Sequence, residues 1–167
     1  MGNRNLYFLR HGQAGDAETW QGDDFDRPLT DEGRERMKLE AEAIKLLDLG
    51  LDRIVTSPLV RARQTAAIVA DALQMRDALI EDQRLGPGFG LDQLANVLRD
   101  RARTSALMLV GHEPSFSATV SRLIGGAAID FKKGALARVY LSDTSELEGE
   151  LMWLVPPRVI LLGARGA

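Results

Sequence analysis

Residues 106–112 read Ala-Leu-Met-Leu-Val-Gly-His, an apolar run that stops at a glycine and a histidine. A strand with one wet face alternates apolar and polar residues. An unbroken apolar run is what a strand covered on both faces requires, and such strands belong to parallel sheets with helices on either side. Toward the C-terminus, Pro114 suits the first turn of a helix over "SFSATVSRLI" (115–124), and Gly125-Gly126 closes it. Next come "ALARVYLS" (135–142) and "GELMWLVP" (149–156), which alternate loosely on either side of "DTSELE". They predict an antiparallel pair. The tail from Pro156 to Ala167 receives no assignment.

Toward the N-terminus, "LDQLANVLRD" (91–100) predicts a helix with Leu91, Leu94, Ala95 and Leu98 in phase. "DALIE" (77–81) reads as a short strand. "VRARQTAAIVADAL" (60–73) reads as a helix with Ala66, Val69 and Leu73 on one face, and "DRIVTSP" (52–58) as a strand ending in a turn. Thr30 is an N-cap candidate, followed by Asp31 and Glu32, which favour the helix dipole. Met37, Ala41, Ile44 and Leu47 form that helix's apolar face, and Gly50 suits its stop. "NLYFL" (5–9) is a buried strand. Between strand and helix, 12–28 is a loop rich in Gly and Asp, of a length that is commonly functional. Alternating strands and helices predict an α/β fold: one domain over 1–167, with a mainly parallel central sheet flanked by helices and a C-terminal antiparallel strand pair.

The bulk properties narrow the classes. The chain has 167 residues, 45% hydrophobic and 27% charged, with a formal net charge of -3, so it carries no basic footprint for nucleic acid. The absence of cysteine excludes disulfides and thiolate metal sites and suits a reducing compartment. The first apolar run is too short for a signal peptide, and Leu6 stands where myristoylation needs Ser or Thr. There is no stretch of about 18 apolar residues for a membrane span. The expectation is a cytoplasmic protein. Its oligomeric state is not legible.

The chain has two histidines, and both follow apolar runs beside a glycine. In open α/β sheets ligands bind outside the carboxyl ends of the strands. Arg10 and His11 follow the first strand, Ser57-Pro58 and Arg61 the second, and Gly111 and His112 the run at 106–110. Two arginines and two histidines would then converge in a slightly acidic chain. Taken singly, each piece has a plain structural reading: a turn glycine, a hydrogen-bonding histidine, a solvated helix arginine. Together they suit phosphoryl transfer. An arginine fork binds two phosphate oxygens at once. A histidine can take the phosphoryl group covalently if its other ring nitrogen finds an acceptor, such as a backbone carbonyl near Gly12.

"FLRHGQA" (8–14), "DFDRPLTDEGRERM" (24–37), "TSPLVRARQTA" (56–66) and "LVGHEPSFS" (109–117) together resemble the histidine phosphatase superfamily, with its phosphoglycerate mutase-like fold. The resemblance is greatest to the short SixA-like phosphohistidine phosphatases. It implies that His11 is the nucleophile that becomes phosphohistidine. It implies that Arg10 and Arg61 clamp phosphate, that His112 binds phosphate and stabilises the transition state, and that Gln13 touches substrate. Ser57 is expected to shape the turn before Arg61. No metal and no cofactor are implied.

One departure bears on substrate. Phosphomonoesterases of the superfamily carry an acid in mid-chain that protonates the leaving alkoxide. Here "ALIEDQRLGPGFGLDQL" (78–94) is short and offers only Glu81, Asp82 and Asp92, with Arg84 where an acid would be sought. Asp16, Glu18, Asp23, Asp24 and Asp26 of the first loop read as solvated charges. A phosphohistidine leaves as an easily protonated nitrogen and relaxes this demand. The expected substrate is therefore phosphohistidine on a partner protein. The rivals are a small phosphorylated substrate, hydrolysed as a monoester on the same fold, and a non-catalytic phosphoprotein-binding module. A histidine phosphotransfer carrier fits poorly, since such carriers place the histidine on a helical bundle.

Overall fold

A computed structural model describes residues 3–164. In chain order the elements are β1 (Arg4–Arg10), α1 (Asp31–Leu46), β2 (Arg53–Thr56), α2 (Val60–Ala72), β3 (Leu79–Glu81), α3 (Leu91–Asp100), β4 (Ala106–Gly111), α4 (Ser115–Leu123), β5 (Leu136–Asp143), β6 (Glu148–Val155) and α5 (Pro157–Ala164). The six strands form one sheet in the order β3-β2-β4-β1-β5-β6. β3, β2, β4 and β1 run parallel, and β5 and β6 complete the sheet through antiparallel pairs. β4 lies between β2 and β1, as its unbroken apolar run predicts.

Successive side chains of β4 feed two separate cores. Leu107 and Leu109 pack with Leu94, Val97 and Leu98 of α3 and with Phe116 and Val120 of α4. Met108 and Val110 pack on the other face with Met37, Ala41 and Ile44 of α1 and with Ala62, Ala66 and Val69 of α2. This is the period of two acting on a strand with no wet side. No described helix is long and apolar enough to cross a membrane.

The helix ends depart slightly from the sequence reading. Thr30 caps α1 as expected, its Oγ1 accepting from the Gly33 N–H at 2.9 Å. The helix stops before Gly50, because Asp48 already takes a left-handed conformation (φ 45°). Leu47 consequently lies at the C-cap and is 49% exposed rather than on the apolar face. On α3, Val97 is fully buried while Ala95 is only half-buried. The tail that received no assignment contains α5. Pro157 stands at its first position, where a missing N–H costs nothing. Ile160 of α5 is buried in the same core as α1 and β1.

Candidate active site

Three strand ends meet, as the open-sheet rule requires. β1 delivers Arg10 and His11, the β2–α2 junction delivers Ser57 and Arg61, and β4 delivers Gly111 and His112. The parallel register sets Arg10 opposite Gly111, and the His11 N–H donates to the Gly111 carbonyl at 3.0 Å. The imidazoles of His11 and His112 lie 5.1 Å apart between centroids, tilted by 53°. Gly111 has a packing reason: a Cβ there would sit 2.7 Å from the Phe116 ring. That ring makes edge contacts with Phe8, Phe89 and Phe131.

Each polar group is held by a neighbour. His11 Nδ1 lies 2.7 Å from the Gly12 carbonyl. A carbonyl only accepts, so Nδ1 carries the proton and Nε2 keeps its lone pair. The Gly12 N–H donates to Thr65 Oγ1 (3.1 Å), whose hydroxyl donates to the Arg61 carbonyl (2.8 Å), so the backbone after the histidine is fastened to α2. Arg10 donates from Nη1 to the Phe131 carbonyl at 2.7 Å. Ser57 Oγ lies 2.7 Å from His112 Nε2 and also accepts from the Leu59 N–H (3.3 Å), so it both shapes the turn and meets the second histidine. Nε of Arg10 and Nε of Arg61 are buried without a hydrogen-bond partner among the described residues.

Asp24 is an exposed loop charge, as the sequence suggests, but it is also bound to two arginines of the site. Its carbonyl accepts from Arg61 Nη1 (2.7 Å), and its carboxylate accepts from Arg61 Nη2 (2.9 Å) and Arg27 Nε (2.8 Å). Partial burial opposes its ionisation, but the bonds and charges of Arg27 and Arg61 outweigh this and hold its carboxyl below its ordinary range. Arg27 also donates to the Gly15 carbonyl, closing the loop on itself.

These groups open into a cleft of about 980 Å³. Arg10, His11, Gln13, Arg61 and His112 all line it, so every residue expected at the site is there, with Gln13 exposed at its mouth. The family model for the histidine phosphatase superfamily (branch 1) matches residues 6–86. A Picosynechococcus protein described only as uncharacterised is 34% identical over 164 residues, covering 93% of this chain and 98% of that one.

The chain belongs to the histidine phosphatase superfamily.

Phosphohistidine phosphatase SixA of Escherichia coli is 26% identical over 155 residues, covering 91% of this chain and 93% of its own. A solved structure of the protein histidine phosphatase SixA with tungstate matches with a TM-score of 0.81 at 26% identity, covering 92% of this chain and 97% of that one. A phosphoglycerate mutase from Bacillus anthracis shares the fold at 13% identity and a TM-score of 0.72, covering 97% of each chain. Family membership and the SixA likeness support phosphatase activity.

In this histidine phosphatase both imidazoles are held neutral. Burial pushes His11 down to about 3, opposed by the Gly12 bond and helped by the nearby Arg61 and Arg10 and by the cost of charging it beside His112. Burial and then Arg61 push His112 down to about 4. The unfolded chain, with ordinary histidines, therefore binds more protons below about pH 6.5, and this pair lowers stability as pH falls.

The acids fall out differently from the sequence reading. Glu81, Asp82 and Asp92 do not line the cleft. Asp82 is buried and paired to Arg84 (2.7 Å) and Arg101 (3.0 Å), and Glu81 faces Arg63 at 3.6 Å. Asp16 does line the cleft, and so does Glu113, a residue sequence reasoning missed although it directly follows His112. Glu113 accepts from both the N–H (2.9 Å) and the hydroxyl of Ser117, capping the start of α4.

Glu40 of α1 is a third cleft carboxylate, which the sequence hid inside a polar-looking helix. It is 2% exposed, bonded to Arg36 at 3.2 Å, with Oε2 unpartnered among the described residues. Burial pushes it up to about 7 against the pull of Arg36. Its folded pKa is raised, so its protonated form carries stability that is lost as pH rises toward and through 7. Glu40→Gln should therefore stabilise the fold by about 2 kcal/mol at pH 8.5 and much less at pH 5. Urea denaturation at the two pH values decides it, and an equal change at both would mean that Glu40 titrates normally.

Proposed function

We propose that the chain hydrolyses phosphohistidine on a partner protein through a phosphohistidine intermediate on His11. The observation that carries this is the Nδ1 bond of His11 to the Gly12 carbonyl, which leaves Nε2 unprotonated and facing a cleft with two arginines. Nε2 attacks phosphorus, the P–N bond to the substrate imidazole breaks, and that imidazole leaves with a proton from solvent. Water then attacks the phosphoryl group on His11, releasing inorganic phosphate and restoring the neutral ring. Arg10 and Arg61 bind the non-bridging oxygens, and the unpartnered Nε donors are available for them. His112 completes the anion clamp, and Gln13 at the mouth contacts substrate. The arginines supply the positive charge, so the reaction needs no metal.

The likeness to Phosphohistidine phosphatase SixA of Escherichia coli supports the substrate class. The mid-chain acids support it too, since Glu81, Asp82 and Asp92 do not line the cleft and Glu113 is engaged with Ser117, which leaves Asp16 and Glu40 as the cleft carboxylates to test. The test is turnover of a histidine-phosphorylated protein in excess chelator. No hydrolysis there, with p-nitrophenyl phosphate still turned over, would favour a small-molecule phosphatase. No turnover of any phosphate, with tungstate still bound, would favour a binding module.

Within this clamp Asp24 orients Arg61. Arg61→Ala should weaken tungstate binding about 100-fold and Asp24→Ala about tenfold. Arg63→Ala, exposed and turned toward Glu81, should leave it unchanged. Calorimetry reads all three. Tighter binding by Asp24→Ala would mean that the carboxylate competes with the anion.

A further inference from the structure

Cations outnumber carboxylates along the lining of the cleft, although the chain has a net charge of -3. Arg10 and Arg61 account for the catalytic centre. A second basic group lies outside it: Arg36 on α1, Lys132 and Lys133 on the segment before β5, and Arg158 in the first turn of α5. All four are exposed. Arg36 pairs with the buried Glu40, and Lys132 faces Asp130 at 2.8 Å. Lys133 and Arg158 have no ion-pair partner among the described residues. The phosphoryl chemistry proposed for His11 uses none of them.

The loop between β1 and α1 exposes Asp16, Glu18, Asp23 and Asp26, but of these only Asp16 lines the cleft. The wall formed by α1, the 132–133 segment and the start of α5 carries the cations. A small phosphate bound at His11 does not need these side chains, whereas a phosphohistidine presented on a protein surface brings neighbouring groups toward them.

We infer that the basic wall of Lys132, Lys133, Arg158 and Arg36 is a docking surface for a phosphohistidine protein whose phosphorylated residue is flanked by carboxylates. The inference rests on the proposed function and adds the partner's chemistry. Its basis is charge complementarity: exposed cations of one sign, sharing one cleft with the nucleophile, attract and register an acidic surface. Their reach is about a Debye length, roughly 8 Å at physiological salt, so selection acts on the partner's immediate surroundings of the phosphohistidine.

The test uses two synthetic peptides of equal length centred on one histidine phosphorylated with phosphoramidate, one flanked by glutamates and the other by lysines. Free phosphoramidate is the control that touches no wall. The wild type should hydrolyse the glutamate-flanked peptide about tenfold faster in kcat/KM at low salt, and added salt should erase the difference. In Lys133→Glu/Arg158→Glu the preference should vanish or invert, with phosphoramidate turnover and melting temperature unchanged. Equal turnover of both peptides by the wild type overturns the docking inference and leaves the phosphohistidine reading standing. Turnover of phosphoramidate with neither peptide cleaved overturns both. If the double variant instead loses turnover of inorganic pyrophosphate with no change on the peptides, the wall serves a small polyanion and the inference is wrong.

Discussion

His11→Ala should abolish turnover, by about 10⁴-fold or more, and should accumulate no phosphoenzyme. The size follows from the proposed chemistry. In the proposed chemistry His11 alone takes the phosphoryl group, and His112 serves in the anion clamp. Stability should not fall with activity. His11 is only 6% exposed and must stay neutral, so its removal also takes away a group that would drive acid unfolding. The fold rests on the two cores flanking the sheet, which His11 does not join. The readouts are steady-state turnover of phosphoramidate, acid-labile phosphate trapped on the protein, and the melting curve. A folded His11→Ala protein that still turns over would remove His11 from the mechanism.

The second large effect concerns the leaving group. Phosphoramidate or phosphohistidine should be hydrolysed at least about 10³-fold faster than glycerol phosphate, because general acid assistance contributes about 10²–10⁴-fold and is not in place for an alkoxide. Phenyl esters should lie between, with rate falling steeply as leaving-group pKa rises. Asp16, Glu40 and Glu113 are the carboxylates that line the cleft, with Glu40 tied to Arg36 and Glu113 to the start of α4. A flat dependence across the ester series would show that one of them acts as acid. Glu113→Gln would then steepen the slope, whereas Asp82→Asn would not, since Asp82 sits between Arg84 and Arg101 away from the cleft.

The parts of this molecule written locally were legible from its sequence. The unbroken 106–111 run specified a strand with two covered faces, Thr30 specified a helix start, and each histidine directly follows the last residue of its strand. Relations between distant residues were not legible. Nothing near Asp24 says that it will meet Arg61, 37 residues away, and no pattern in "RMKLEAEA" marks Glu40 as the buried one of its two glutamates. α5 was hidden for a different reason: Pro156-Pro157 reads as a break, and only the packing of Ile160 shows that the second proline starts a helix.

The cleft is assembled from two sets of elements that share little backbone. Its inner end comes from the ends of β1 and β4 and the start of α2, locked by Thr65, Gly12 and the close approach of Phe116 to Gly111. Its outer wall comes from exposed positions on α1, the 132–133 segment and the first turn of α5. Substitutions in the first set disturb buried bonds; in the second, Lys132, Lys133 and Arg158 change only what meets solvent, while Arg36 also holds the buried Glu40. If the outer wall selects partners as inferred, relatives with this architecture would drift in clientele while their chemistry stayed fixed, and rewriting Lys132, Lys133 and Arg158 would retarget the protein without reopening its core.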